Sequence, residues 1–179
     1  MKASKLLLIV LSCMLVIGCK NNQTEDEPTP PAQQTDTISA AELQSYFPYK
    51  NMDKVDFAAG ANYVQYIVTK SLLSYEDKKM LLSTTMSGTS SIDSSHKYYL
   101  SLNAEVTNGT VLKVDFLYVE AYAGELKATY THDITKDGDL PEEITFTSKD
   151  VKVTIKKDTG LTKFFEMDRH WEWIFMRKY

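Results

Sequence analysis

Three histidines, two cysteines and a scatter of acids are the residues of this 179-residue chain that could do chemistry. His132 continues the apolar side of Leu126, Ala128, Tyr130 and Ile134, with no nucleophile near it in sequence. That placement predicts a core-edge histidine with a hydrogen-bond partner rather than a general base. His170 follows Met167-Asp168-Arg169 and is expected at the surface; His96 ends a serine-rich loop. Ser94-Ser95-His96-Lys97 spells Ser-x-x-Lys, but no Ser-Asp-Asn or Lys-Thr-Gly follows and no helix is expected there, so the match is read as chance. Asp133-Ile134-Thr135-Lys136-Asp137-Gly138-Asp139 has the look of a calcium loop. Ile144 stands where a bidentate glutamate is needed and Lys136 sits inside, which excludes an EF-hand. A looser calcium turn stays open beside the commoner reading, a polar hairpin turn with Gly138 left-handed. Glu142 and Glu143 are adjacent, so they point to opposite sides of a strand and make no acid–base pair. There is no P-loop and no dinucleotide fingerprint. The expectation is no catalytic residue, no metal and no cofactor.

The aromatic residues carry more functional character. Tyr98, Tyr99, Tyr118, Tyr122 and Tyr130 fall on central segments, with Trp171, Trp173 and Phe175 at the end. They either fill a core, as large rings commonly do, or line a cavity or open face for an apolar or sugar ligand. The candidate ligand-binding residues on the second reading are Tyr98, Tyr118, Tyr130, Trp171 and Trp173.

The cysteines belong to an address. Lys2 and Lys5 precede an apolar run from Leu6 to Gly18, and the chain turns polar at Lys20. The run is shorter than the ~20 residues a spanning helix needs and has the flanks of a secretory leader. Val16-Ile17-Gly18-Cys19 resembles a bacterial lipobox; Val10-Leu11-Ser12-Cys13 is a weaker match. The resemblance implies a lipoprotein signal peptide over 1–18, diacylglycerol on the Cys19 thiol and an outer-membrane location. Several acyl chains make a firm anchor, since each buried CH₂ contributes ~0.8 kcal/mol. Glu25-Asp26-Glu27 loosely resembles acidic export signals of surface lipoproteins, so the periplasmic or outward face is left open. Cys13 would leave with the leader and Cys19 would carry lipid, so no cysteine remains for a disulfide, a nucleophile or zinc. Loss of Lys2 and Lys5 leaves 18 basic against 24 acidic residues, a net of −6, which argues against docking on anionic lipid or nucleic acid by charge alone.

Residues 19–38 read as the lipidated cysteine and a disordered tether, with Pro28, Pro30 and Pro31 among polar residues and little to bury. Residues 39–179 read as a single β-rich domain. Ser39-Ala40-Ala41-Glu42 fits a capping box for a helix of two turns that Pro48 stops. Alternation then takes over at Val55/Phe57/Ala59, Val64/Tyr66/Val68, Met80/Leu82/Met86, Tyr98 to Val106, Leu112 to Tyr118, Leu126/Ala128/Tyr130, Ile144/Phe146, Val151/Val153/Ile155 and Trp171/Trp173/Phe175. Glycines 60, 88, 109, 124, 138 and 160 lie between these runs and are expected at turns. A three-residue loop Thr107-Asn108-Gly109 would pair 106 with 110, putting Ala104 on Leu112, Leu102 on Val114, Leu100 on Phe116 and Tyr98 on Tyr118. A two-residue turn would instead set Leu102 against Asp115. Nine or so strands with short turns predict an all-β fold with one short N-terminal helix. Its architecture is an antiparallel meander, curved or barrel-like, with a two-sheet sandwich as the alternative.

Tyr46-Phe47-Pro48-Tyr49, and Gly160-Leu161-x-x-Phe164 followed by Trp171, are similar to features of small β-rich envelope lipoproteins of Gram-negative anaerobes. That resemblance implies no activity for any residue. The function expected is a membrane-anchored, non-catalytic binding module for an apolar or glycan ligand or an envelope protein partner. The alternative is a structural or assembly accessory of an outer-membrane complex, and a hydrolase built on His132 comes third.

Overall fold

The computed structural model describes residues 37–121 and 124–179. The predicted leader, Cys19 and the tether up to residue 36 lie outside the described residues, as does Tyr122. Ser39 caps α1 (Ala40–Tyr46): its hydroxyl accepts the Glu42 N–H at 3.1 Å, as the capping spacing predicts. Ile38, counted with the tether on composition, is buried, and its N–H donates to the Gly109 carbonyl at 2.8 Å.

Ten strands follow: β1 (Lys54–Ala59), β2 (Asn62–Glu76), β3 (Lys79–Ser90), β4 (Lys97–Thr107), β5 (Val111–Glu120) and β6 (Gly124–Asp133). After α2 (Ile134–Asp137) come β7 (Glu143–Thr147), β8 (Val151–Lys156), β9 (Gly160–Glu166) and β10 (Trp171–Lys178). They form one antiparallel sheet in the order β6-β5-β4-β3-β2-β1-β10-β9-β8-β7. Because β1 pairs with both β2 and β10, the first and last strands close the sheet and the opening falls in mid-chain, between β6 and β7. The result is a nearly closed, barrel-like meander rather than a sandwich.

Four local expectations need correction. The 133–139 stretch is not a hairpin turn. Asp133 accepts from the Thr135 N–H and hydroxyl, which winds α2 and takes the backbone out of strand geometry. Gly138 has φ +80 and ψ −170, outside the left-handed helical region. In the β4–β5 hairpin the faces are as expected, but the partners slip by two residues: Leu102 pairs with Phe116, Leu100 with Tyr118 and Tyr98 with Glu120. Asn108 and Gly109 both have positive φ and form the turn, closed by Thr110 N–H to the Thr107 carbonyl. The extra Thr110 keeps apolar residues opposite apolar ones. Gly88 lies inside β3, not at a turn. A Cβ there would stand 2.8 Å from Val64 Cγ1 and 3.0 Å from Tyr66 Cδ1, so its bareness makes room for that ring. Finally, β9 is a tenth strand, and β2 runs on to Glu76 past an irregularity at Thr69 that flips its faces.

Inward positions are apolar along nearly every strand, while outward ones are largely charged or hydroxylated. That is the reverse of a lipid-spanning barrel, whose apolar band faces outward.

Candidate functional site

The barrel interior is filled by rings. Trp173 stacks on Phe164 at 5.9 Å, Tyr118 lies 4.9 Å from Phe164 and 6.4 Å from Trp173, and Tyr98 lies 6.2 Å from Tyr118. Phe57, Tyr66 and Phe116 extend the column. Of the five aromatic candidates, Tyr98, Tyr118 and Trp173 therefore sit together inside this packing. Trp171 joins them at the rim, 42% exposed, edge-on to Trp173 and 5.5 Å from the Arg169 guanidinium. Tyr130 stands apart on β6, with its ring 5.9 Å from Phe146 of β7. Burial pushes the Tyr118 and Tyr66 hydroxyls far above the usual phenol range, so both stay neutral. The buried Tyr66 hydroxyl has no hydrogen-bond partner among the described residues.

Above the rings, the barrel end away from α1 carries a charged cluster. Glu120 and Glu166 are both buried and point inward. Arg169, from the β9–β10 turn, donates Nη1–H to Glu120 Oε2 at 2.6 Å and holds Nε 3.4 Å from Glu166 Oε2. His96 Nε2 lies 2.7 Å from Glu120 Oε1, and the Trp173 indole N–H donates to Glu166 Oε1 at 2.6 Å. Burial raises the Glu166 carboxyl above its ordinary value, although Trp173 and Arg169 oppose the shift. The cluster ties the β3–β4 and β9–β10 turns to the end of β5. Its carboxylates are committed to partners within the fold, so it reads as a plug. Sequence inspection passed over it, but a signal existed: Glu120 continues the inward phase of Leu112, Val114, Phe116 and Tyr118.

His132 has both ring nitrogens engaged. Nε2 lies 2.7 Å from the Gly138 carbonyl, which can only accept, and in the neutral ring Nδ1 then takes the Tyr130 hydroxyl hydrogen at 3.0 Å. Neither a serine nor a carboxylate is among these partners. Among the described residues no group of three or more His, Cys, Asp or Glu could hold a metal ion.

The outer wall carries two further features. Asp56 faces outward from β1 yet is fully buried, beneath Gln65 at 3.2 Å, Tyr179 Oη at 2.7 Å and Arg177 Nε at 2.9 Å. Burial works against its charge, but hydrogen bonds from Tyr63, Tyr179, Arg177 and Gln65 outweigh it and hold the carboxyl below its usual range. The bond to Asp56 pushes the Tyr63 hydroxyl up to about 12. This knot fastens β10 to β1. Beside it, a groove of about 600 Å³ crosses β2, β3 and β4, lined on its outer side by Gln65, Ile67, Ser87, Thr89, Lys97 and Tyr99. No protein-family model, curated protein or solved structure matches this chain.

Proposed function

We propose that this chain is a lipid-anchored envelope protein, held at the outer membrane through Cys19, whose barrel is a non-catalytic binding module for a glycan. The observation that carries the binding part is the filled interior: with Tyr98, Tyr118 and Trp173 committed to one another, ligand recognition falls to the outer wall. Tyr99 points outward there, into a groove that also offers an amide oxygen, two hydroxyls and an ammonium group. A sugar presents an apolar ring face to a tyrosine and hydroxyls to such polar groups. The anchor reading is supported by the lipobox spacing at Val16 to Cys19.

Titration of the protein with a panel of envelope and host glycans, followed by chemical shifts, tests the binding reading. Binding is expected to perturb Gln65, Ser87, Thr89 and Tyr99, and Tyr99→Ala is expected to weaken it about tenfold, the loss of one stacking contact. No binding across the panel, or binding indifferent to Tyr99, overturns it. Intact mass after detergent extraction tests the anchor separately: a mass equal to unmodified Met1–Tyr179 refutes it. A second reading, an accessory of an envelope complex, draws on Ile174 and Met176, which lie exposed on β10. It predicts co-purification with a membrane protein that Ile174→Ser with Met176→Ser abolishes.

A further inference from the structure

A separate part of the wall combines charge and apolar surface. Lys50, Met52, Lys54, Lys70 and Leu72 are all exposed, and the backbone places them side by side. The Met52 N–H donates to the Val68 carbonyl at 2.9 Å, the Ser71 N–H donates to Asn51 Oδ1 at 2.6 Å, and Lys54 pairs with Ile67. The 50–54 turn is thereby laid along β2 beside the stretch that carries Lys70 and Leu72, which stay paired with β3. Met52 has φ +73, a conformation costly for a bulky side chain, and is 73% exposed. The fold thus holds a large apolar group in water on a strained residue. Lys50, Lys54 and Lys70 make no ion pair among the described residues. Asp53, within the same turn, is committed elsewhere: it accepts the Lys50 backbone N–H at 2.8 Å and lies 3.9 Å from Lys178.

We propose that this patch docks on an anionic lipid surface, with Met52 and Leu72 entering the headgroup layer and the three lysines meeting phosphates. The proposal rests on the Cys19 anchor for its biological setting. Against a net charge of −4, an unpaired basic cluster is a local exception, and lysines interleaved with exposed Met and Leu are the chemistry of a membrane interface. Place supports the same occupant. The chain leading from Cys19 enters the barrel at Thr37 and passes through α1, which shares a groove with this stretch: Gln44 of α1 lines it with Lys50, Asn51, Ser71 and Leu73. The 17 residues between Cys19 and Thr37 span about 20 Å as a coil and about 50 Å if stiff, so an anchored domain would stay within reach of the bilayer.

The test uses a chain starting at Lys20, without leader or lipid but with every described residue, co-sedimented with vesicles. Binding is expected to vesicles of phosphatidylglycerol with phosphatidylcholine and not to phosphatidylcholine alone. It should fall about tenfold or more in high salt and in the triple variant Lys50→Glu, Lys54→Glu, Lys70→Glu. Met52→Ser with Leu72→Ser should weaken it at unchanged charge, and Tyr99→Ala should leave it intact. Thermal melts of each variant check folding. Absence of binding to anionic vesicles, or binding unchanged in the triple variant, overturns the proposal. Capture of soluble polyglutamate in place of vesicles also overturns it, since that assigns the patch to an acidic protein. Failure of the anchor itself is read separately, in the intact mass.

Discussion

The two ends of the barrel are closed by opposite means. At one end the chain itself is the stopper: α1 lays Leu43, Tyr46 and Phe47 over the opening, all buried. Its buried polar contacts there are neutral, and the one ion pair it makes among the described residues, Glu42 with Lys157 at 3.7 Å, lies at the half-exposed edge. Tyr46 donates to the Pro141 carbonyl, and Tyr49 Oη accepts the Leu161 N–H at 2.7 Å. At the other end, side chains from three segments bring two carboxylates, a guanidinium and an imidazole together. An apolar lid gains from burial alone. A charged plug must recover the desolvation of every member, so it is sensitive to the loss of any one. Both ends are shut, which is why the candidate binding surfaces lie on the wall.

Three measurements break or sharpen this contrast. The largest effect is expected from Glu120→Ala, which strips Arg169 and His96 of their shared carboxylate. Urea unfolding, followed by the fluorescence of buried Trp173, should register a loss of about 3–5 kcal/mol. A loss under ~1 kcal/mol would show that the charged end contributes nothing special. At the helical end, Gly160→Ala forces a side chain onto a residue with φ +87 and into the Tyr49 ring. Strain of that kind costs ~1–3 kcal/mol, so the same experiment should show a smaller loss than at Glu120. The third effect is a shallow pH slope. The folded carboxyl of Glu166 titrates above its unfolded value, so between the two values the folded state holds more protons and stability falls as pH rises. Glu166→Gln should flatten that fall in melts taken across the mildly acidic range. Asp56 acts in the opposite sense: its folded value is lowered, so its contribution is lost as pH falls through that value. A fall with rising pH in that range that survives Glu166→Gln would remove the charged plug as its source.

Much of the wall was legible residue by residue. Val55, Phe57, Val64, Tyr66, Leu100, Leu102, Val114 and Phe116 face inward because two-residue alternation is written into the chain and needs no distant contact to be read. Ser39 named the start of α1 for the same reason. What escaped was phase and partnership. The irregularity at Thr69 inverts the pattern, so 69–76 does not scan as a continuation of β2. In β9, Phe164 and Phe165 are adjacent and blur the alternation. The hairpin slipped by two because register there depends on an extra residue, Thr110, that follows a turn of the expected kind.

The candidate site was legible only as a list of rings. Tyr98, Tyr118 and Trp173 could be named, but not whether they lined a space or filled one, since that depends on how tightly the sheet curls. Tyr99 became a candidate only once its neighbours Gln65, Ser87 and Thr89, up to 34 residues away, were beside it.

By itself, then, the sequence determined the faces of most strands, the capped helix and the antiparallel meander, because each follows from neighbours a few residues apart. Closure of β1 on β10, the mid-chain opening at β6 and β7 and the stopper at each end were decided by tertiary structure alone. Their contacts join residues about a hundred positions apart, such as Tyr49 with Leu161 and Asp56 with Arg177. No local pattern encodes such a pairing. It is selected by the free energy of filling one shared interior, which exists only once the whole sheet has curled around it.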